Sequence, residues 1–472
     1  MIQPLKEISA PMRELAAYMA RAPGLALPAA VAARARHHVL DTLAAMVSGS
    51  RLAPGRIAIA YVRRLGGTRE ASVAGSRIVT SSINAALANG MLAHADETDD
   101  SHAPSRNHPG CAVVPAALAV AEATHASGEQ FLRAVVLGYD VAARINYALG
   151  ADAFAFAGRM THSFGGTFGA GAAAAALLRL DALQARHLLS YCAQQASGVG
   201  SSVRDADHIE KAFDFGGMPA RNGVAAATMV AAGFTGVDDV FSGERNFFQA
   251  YGAEPDPAKL AQDLGQRFEI LGTNIKKWSA GSPAQSAIDA LLHLMETKGV
   301  TAGKVKAITV HLPTGSDRTV DRTPAPDVNI QHLLALLLIE GTLTFRSIHD
   351  HARMADPAIL ALRGKIEVVP SDELLHARPR RQAIVEVETH DGAHHSHRIV
   401  AVRGTADNPM DLAEVEAKAR DLMGGVLGRK RTQMLIGAVR GLTEVKSMGR
   451  LRPLWQAATP RPATGAKTGT SR

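Results

Sequence analysis

Four carboxylates and three histidines fall within fifteen residues of this chain: His94-Ala95-Asp96-Glu97-Thr98-Asp99-Asp100-Ser101-His102, then Arg106-Asn107-His108-Pro109-Gly110. Imidazole titrates near neutral pH, and a carboxylate can orient it, so the pattern suits general acid–base work. On a helix these acids would stand beside one another at a cost, which predicts a loop, the usual home of such groups. Two other readings fit the same residues. One is a solvated acidic loop that caps the helix beginning near Val113. The other is a metal site: His94, Asp96, His102 and His108 are suitable ligand types, although their spacing matches no compact signature such as H-E-x-x-H.

Three further segments carry chemistry-bearing side chains. In Thr161-His162-Ser163-Phe164-Gly165-Gly166-Thr167 a histidine precedes a Gly-rich turn and an Ala-rich helix. At a helix N-terminus, free N–H groups bind anions; the plainer alternative is a core or capping histidine. In Lys211-Ala212-Phe213-Asp214-Phe215-Gly216-Gly217-Met218-Pro219-Ala220-Arg221-Asn222-Gly223, glycines permit close backbone approach, and Lys211 and Arg221 suit a carboxylate, Arg as a fork and Lys as a point charge. A lone lysine is otherwise ordinary surface. In Ile275-Lys276-Lys277-Trp278-Ser279-Ala280-Gly281-Ser282-Pro283 a cationic pair falls where the chain changes texture. Domain junctions favour small-molecule pockets, and the plainer alternative is a basic linker.

The elements that must position these groups are read from apolar spacing. Helices are expected over 31–47, 83–93, 113–126 (opened by Pro115), 130–148, 169–180, 182–196 and 223–232. From about Phe268 the pattern changes. Lys304–Leu312 alternates and is rich in β-branched residues, which predicts a strand, and 366–369 is a second. Ala383–Thr389 and 395–402 flank His390-Asp391-Gly392-Ala393, a hairpin signal. Helices are expected at 286–297 and 329–339. After Pro409 the helical pattern returns at 411–423 and 431–442. The expected architecture is therefore mainly α: a large helical domain built from both chain ends, 1–267 and 404–458, with an inserted smaller α+β domain at 268–403 and a disordered tail over 459–472.

Composition narrows the classes. The chain has 472 residues, 47% hydrophobic and 20% charged, enough to bury sizeable cores and inconsistent with global disorder. Aromatics are 4%, so the interior is built from Ala, Leu, Val and Ile, which suits packed helices. No apolar run is long enough for a membrane helix, and the first residues show no basic-then-apolar leader, so a cytoplasmic protein without membrane association is expected. Two cysteines, Cys111 and Cys192, support neither a disulfide framework nor an iron–sulfur cluster. The net charge is +7. Basic residues near the C-terminus lack interleaved aromatics, so a solvated face is favoured over nucleic-acid binding, and the positive balance would steer an anionic small molecule.

Taken in order, HADETDDSH…NHPG, the His162 turn before FGAGAAAA, KAFDFGGMPARNG and NIKKWSAGSP resemble the MmgE/PrpD family over most of the chain, from about Ala10 to about Trp455. That family includes 2-methylcitrate dehydratases, cis-aconitate decarboxylases and an iminodisuccinate epimerase. The resemblance implies a helical domain with a small α+β lid, a homodimer, and no metal or organic cofactor. It implies His108, His162, Lys211 and Lys276 in the active site, with Glu97, Asp100 and Ser101 from the acidic motif; Lys277 and Arg221 are further substrate-binding candidates from their residue types alone. Two positions depart from the family pattern: Gln285 stands where many dehydratases and decarboxylases have histidine, and Thr319 where the decarboxylases have tyrosine. Both argue most against cis-aconitate decarboxylation.

The chemistry expected is proton removal or delivery beside a carboxylate. Lys211 and Lys276 would stabilise enolate-like charge, His108 or His162 would act as base and acid, and Glu97 or Asp100 would orient a histidine. The net reaction is dehydration of a small di- or tricarboxylic hydroxy acid. Alternatives are epimerisation of a dicarboxylate by the same groups, a non-catalytic carboxylate-binding relative, and a metal enzyme at the His/Asp loop.

Overall fold

The computed structural model describes residues 7–457; the tail expected beyond 458 lies outside the described residues. The chain is mainly α. Its helices are α1 (Ala10–Arg21), α2 (Ala29–Gly49), α3 (Ala53–Leu65), α4 (Ser82–Ala93), α5 (Pro109–Ala123), α6 (Gly128–Leu149), α7 (Thr161–Leu178), α8 (Ala182–Gln195), α9 (Met218–Ala231), α10 (Gln285–Lys298), α11 (Ile330–Glu340), α12 (Leu412–Leu427) and α13 (Arg429–Arg440), with shorter turns between them. Among the described residues no single helix is long and apolar enough to cross a membrane.

Local chemistry explains most boundaries. Ser127 with Gln130 and Asp411 with Glu414 form reciprocal capping boxes that start α6 and α12. Asn329 accepts from His332 N to start α11. Two boundaries differ from the sequence reading. Helix α5 begins at Pro109, so Pro115 lies inside the helix rather than in its first turn. Helix α7 begins at Thr161, so Gly165 and Gly166 are helix interior rather than a turn. Packing overrides propensity there. A Cβ at Gly165 would lie 2.7 Å from Ala142 O, and one at Gly169 2.6 Å from Gly138 O. These glycines let α7 press against α6.

Two hydrophobic cores divide the chain. The first gathers the helices of both chain ends, from Met12 through Ile275 and again from Met410 through Trp455. The second runs from Trp278 to Val387. It joins α10 and α11 to a four-stranded sheet made of β1 (Val305–Pro313), β2 (Ile366–Ser371), β3 (Ala383–Thr389) and β4 (His394–Ile399), in the order β2-β1-β3-β4. β1 pairs with β2 in parallel and with β3 antiparallel. The β3–β4 hairpin turns through Asp391-Gly392, where Gly392 takes a positive φ of 84°. The chain passes between the cores at Ile275–Trp278, and the two lysines of the fourth segment lie on that crossing.

Candidate active site

Residues 94–108 form an irregular buried loop between α4 and α5. Its carboxylates, adjacent in sequence, face different ways and take different partners.

Glu97 meets two lysines from distant segments. Lys211 Nζ pairs with Oε1, and Lys276 Nζ sits 3.3 Å from Oε2 while donating to the Glu97 carbonyl at 2.8 Å. Burial alone would push the Glu97 carboxyl up; the charges of Lys211 and then Lys276 outweigh it and hold it well below the usual carboxylate range. Burial likewise opposes charge on Lys276, but Glu97 and Asp99 (3.6 Å away) raise its pKa.

Asp99 orients imidazole. Its carboxylate accepts from His108 Nδ1 at 3.1 Å and lies 3.0 Å from His94 Nδ1. Burial would raise its pKa, and His94, His108 and Lys276 together hold it well down. Burial lowers the His108 pKa despite Asp99, and lowers that of His162 further, with His108 adding to the effect. Both rings are therefore neutral at neutral pH.

Helix α7 presents His162 from its first turn, and the ring meets His108 edge to face at 5.0 Å between centroids. Phe215 stacks against His162 at 3.8 Å and against His94 at 4.3 Å. The phenyl ring stands in a π-helical turn, Phe213–Gly217. That turn lies close to α4: a Cβ on Gly216 would fall 2.2 Å from Gly90 O. The π-turn both sets the Phe215 ring and starts the helix behind Lys211, in line with the use of such bulges at functional sites. His208 completes the ring cluster, 5.0 Å from His94, its pKa pushed down to about 3 by burial and by Lys211.

The expected residues thus separate into two groups. His108, His162, Glu97, Lys211 and Lys276 converge. Asp100, expected to serve the catalytic histidines, points away from them. It accepts from His38 Nδ1 at 2.8 Å, Tyr139 OH at 2.6 Å and Gly110 N at 2.9 Å. It therefore caps the start of α5, although the loop is buried and not the solvated one of the plainer reading, and the histidine it orients is the buried His38. Asp99, one residue earlier, does the work assigned to it. Lys277 turns into the α+β part, over the Trp278 ring at 4.7 Å and 3.6 Å from Asp289. Arg221 donates to Asn222 and lies over Phe213 at 5.6 Å. Neither cation joins the Glu97 cluster, because each already has a local partner. Ser101 lies at the edge of the site, its hydroxyl 3.3 Å from Arg381 Nη1.

The metal set named from sequence also separates. Asp96 goes to His349 Nε2 at 2.9 Å, and His102 to Ser105 and Glu269. Among the described residues two other groups bring ligand atoms together, His94/Glu97/His208 and His94/Asp99/Cys111. Neither suits a cation. Glu97 is taken by two ammonium groups, and the Cys111 thiol is pushed well up by burial and by Asp99, so it keeps its proton.

Asp99, His349 and Arg381 were missed as site residues. Asp99 carries the same motif signal as Asp100. His349 and Arg381 arrive from the α+β part, and no local spacing marks them.

The loop's outer side is equally fixed. Lys418 of α12 donates to Thr98 O at 2.9 Å and pairs with Asp41 at 2.6 Å. Ser101 and Asn274 exchange backbone hydrogen bonds of 3.0 and 2.8 Å. The site is thus held by both chain ends and by the crossing segment.

Comparison with known proteins identifies the family. Residues 13–260 match the MmgE/PrpD N-terminal domain and residues 278–444 the MmgE/PrpD C-terminal domain. The chain is also 26% identical over 449 residues to the cis-aconitate decarboxylase-like protein oryM of Aspergillus oryzae (strain ATCC 42149 / RIB 40), covering 88% of this chain and 91% of the relative. With both domains matched across most of its length, the chain belongs to the MmgE/PrpD family.

Proposed function

We propose that this protein is a cofactor-independent lyase that removes water from a small di- or tricarboxylic hydroxy acid. The family match and the decarboxylase-like relative support a lyase-type or dehydratase-like function in general. The observation that carries the finer reading is the placement of an Asp99-oriented, neutral His108 beside two lysines fixed by Glu97.

A C–H next to a carboxylate is a weak acid, so its removal needs a base and a stabiliser for enolate-like charge. His108 Nε2, free of Asp99, takes the proton. Lys211 and Lys276 stabilise the charge in a buried setting where it is worth more than in water. The C–O bond then breaks, and the leaving hydroxide takes a proton from an imidazolium to depart as water. The α+β part closes the site, and the working form is a homodimer with an anionic small molecule as its ligand.

A second reading has its own support. Two imidazoles stand in one site, His108 and His162 meeting edge to face at 5.0 Å between centroids, and a pair of bases of this kind suits removal of a proton by one and its return by the other, which is epimerisation. Gln285 offers no imidazole at the family's variable position: its amide is spent on Trp278 and Ala280 carbonyls at 2.9 and 2.8 Å.

The test is a screen of di- and tricarboxylic hydroxy acids, read by ultraviolet absorbance of the new double bond, with solvent-deuterium exchange run in parallel. His108→Gln and Lys211→Ala are expected to lose roughly 10²–10⁴-fold in turnover. Folded variants at wild-type rates would remove the assignment. Binding without turnover would leave a carboxylate-binding relative, and chelator-sensitive activity would restore the metal reading.

A further inference from the structure

Three imidazoles gather on the α+β part, outside the site described above. β4 is an edge strand of the sheet, and its register sets His397 opposite Val385 and His395 opposite Val387. Both valines are buried in the second core with the apolar face of α10. Residues directly opposite one another share a face, as do residues two apart on a strand. His395 and His397 therefore stand on the side where α10 packs, while His394 and Ser396 turn outward and are exposed. From α10, His293 lays its ring on that of His397, with 3.7 Å between centroids and 19° between planes.

These rings are unspent. Among the described residues none of the three makes a side-chain hydrogen bond or an ion pair. The charged groups of the same sheet take other partners: Glu388 pairs with Lys306, Glu386 lies 3.3 Å from His311, and Arg398 donates to Gln382 and Glu373. His293 is exposed and the other two are half-buried, so an ion from solvent reaches them. Burial, and then His293, lower the His397 pKa, so that ring is neutral at neutral pH and keeps a lone pair. Stacking brings the nitrogens of two rings side by side. The terminal torsion of histidine is broad, so a modest turn of either ring aims both lone pairs at one ion. Imidazole suits Zn²⁺, Cu²⁺ and Ni²⁺, whereas Mg²⁺ and Ca²⁺ favour oxygen ligands.

We infer that His293, His395 and His397 form a surface site for a divalent transition-metal ion such as Zn²⁺, with water completing the coordination. The ion ties β4 to α10. An edge strand has a partner on one side only, and a clamp of this kind holds it to the body of the fold. The site contains no residue of the reacting centre, so it stands apart from the reading of the reaction. Its readouts are binding and stability rather than turnover.

The test is calorimetric titration of the full-length, chelator-treated protein with zinc chloride, with magnesium chloride alongside, and melting curves with and without zinc. The wild type should take up zinc, ignore magnesium and melt higher with zinc present, because an ion that binds only the folded state stabilises it. His293→Ala, His395→Ala and His397→Ala should each weaken the tightest zinc equivalent by at least about tenfold, no less than the loss of an outer-shell partner costs a metal site, and should lose the melting shift. His394→Ala, on the opposite face of the same strand, should keep both. If the wild type takes up no zinc, or if the His293 and His397 variants bind it as the wild type does, the site is overturned. Equal weakening in the His394 variant would overturn it as well, because the zinc would then be held by scattered surface histidines.

Discussion

Asp99 accepts from His108 Nδ1 with both carboxylate oxygens at 3.1 Å, and this fixes which nitrogen of the ring is left for chemistry. An ionised carboxylate only accepts, so Nδ1 must carry the proton and Nε2 is the free base. Asp99→Asn removes that preference for one tautomer. Turnover should fall by at least about 10²-fold, with the circular dichroism spectrum unchanged. An unchanged rate in a folded variant would show that His108 needs no such partner.

Lys211 and Lys276 share Glu97 but not its surroundings. The Lys276 side chain is 2% exposed and Lys211 17%. Removing Lys276 strands Glu97 and weakens the field on Asp99, so Lys276→Ala should cost about 3–5 kcal/mol in urea unfolding. Lys211→Ala should cost clearly less, because water reaches the vacated side of Glu97. Equal losses would contradict the difference in burial.

His349 ties the α+β part to the site loop. Its Nε2 faces Asp96 at 2.9 Å and its Nδ1 meets Phe345 O at 2.8 Å, so both nitrogens find acceptors and the ring is cationic. Burial opposes the charge, yet Asp96 raises the pKa from 6.5 to about 9. The sign follows from linkage: the contribution is full below about 6.5 and is lost as pH rises through about 9. Burial would raise the Asp96 pKa, but His349 and then Thr98 outweigh it and hold it lowered, so its share is lost only on acidification below the ordinary carboxylate range. The stability gap between wild type and His349→Gln should therefore hold at mildly acidic pH and shrink between about 6.5 and about 9. A gap that persists unchanged at higher pH would rule out the ion pair.

Gly216 and Gly90 set the depth of the Phe215 turn. An added Cβ at Gly216 would sit 2.2 Å from Gly90 O, and the reverse contact to Gly216 O is 2.4 Å. Gly216→Ala should cost about 1–3 kcal/mol and displace Phe215 and Lys211, lowering activity as well. Gly424→Ala is the control. It meets nothing within 4 Å inside α12, so it should be neutral or stabilise by about 0.4–1 kcal/mol in the same unfolding assay.

The sequence by itself determined the helical periodicity, the Asp-Gly hairpin and the types of group gathered for acid–base chemistry, because these depend on neighbours a few residues apart. His108, His162, Glu97, Lys211 and Lys276 were legible as candidates from their local motifs and the family resemblance. Only the tertiary structure decided between adjacent carboxylates. Asp99 and Asp100 share one motif, but an irregular loop sends one to His108 and the other to Gly110 and Tyr139. It decided that Gly165 and Gly166 are helix rather than turn, since their packing partners lie on α6 and α9. It also recruited His349, and Arg381 from 280 residues beyond Ser101, because a charge recognises distance in space, which chain spacing does not encode.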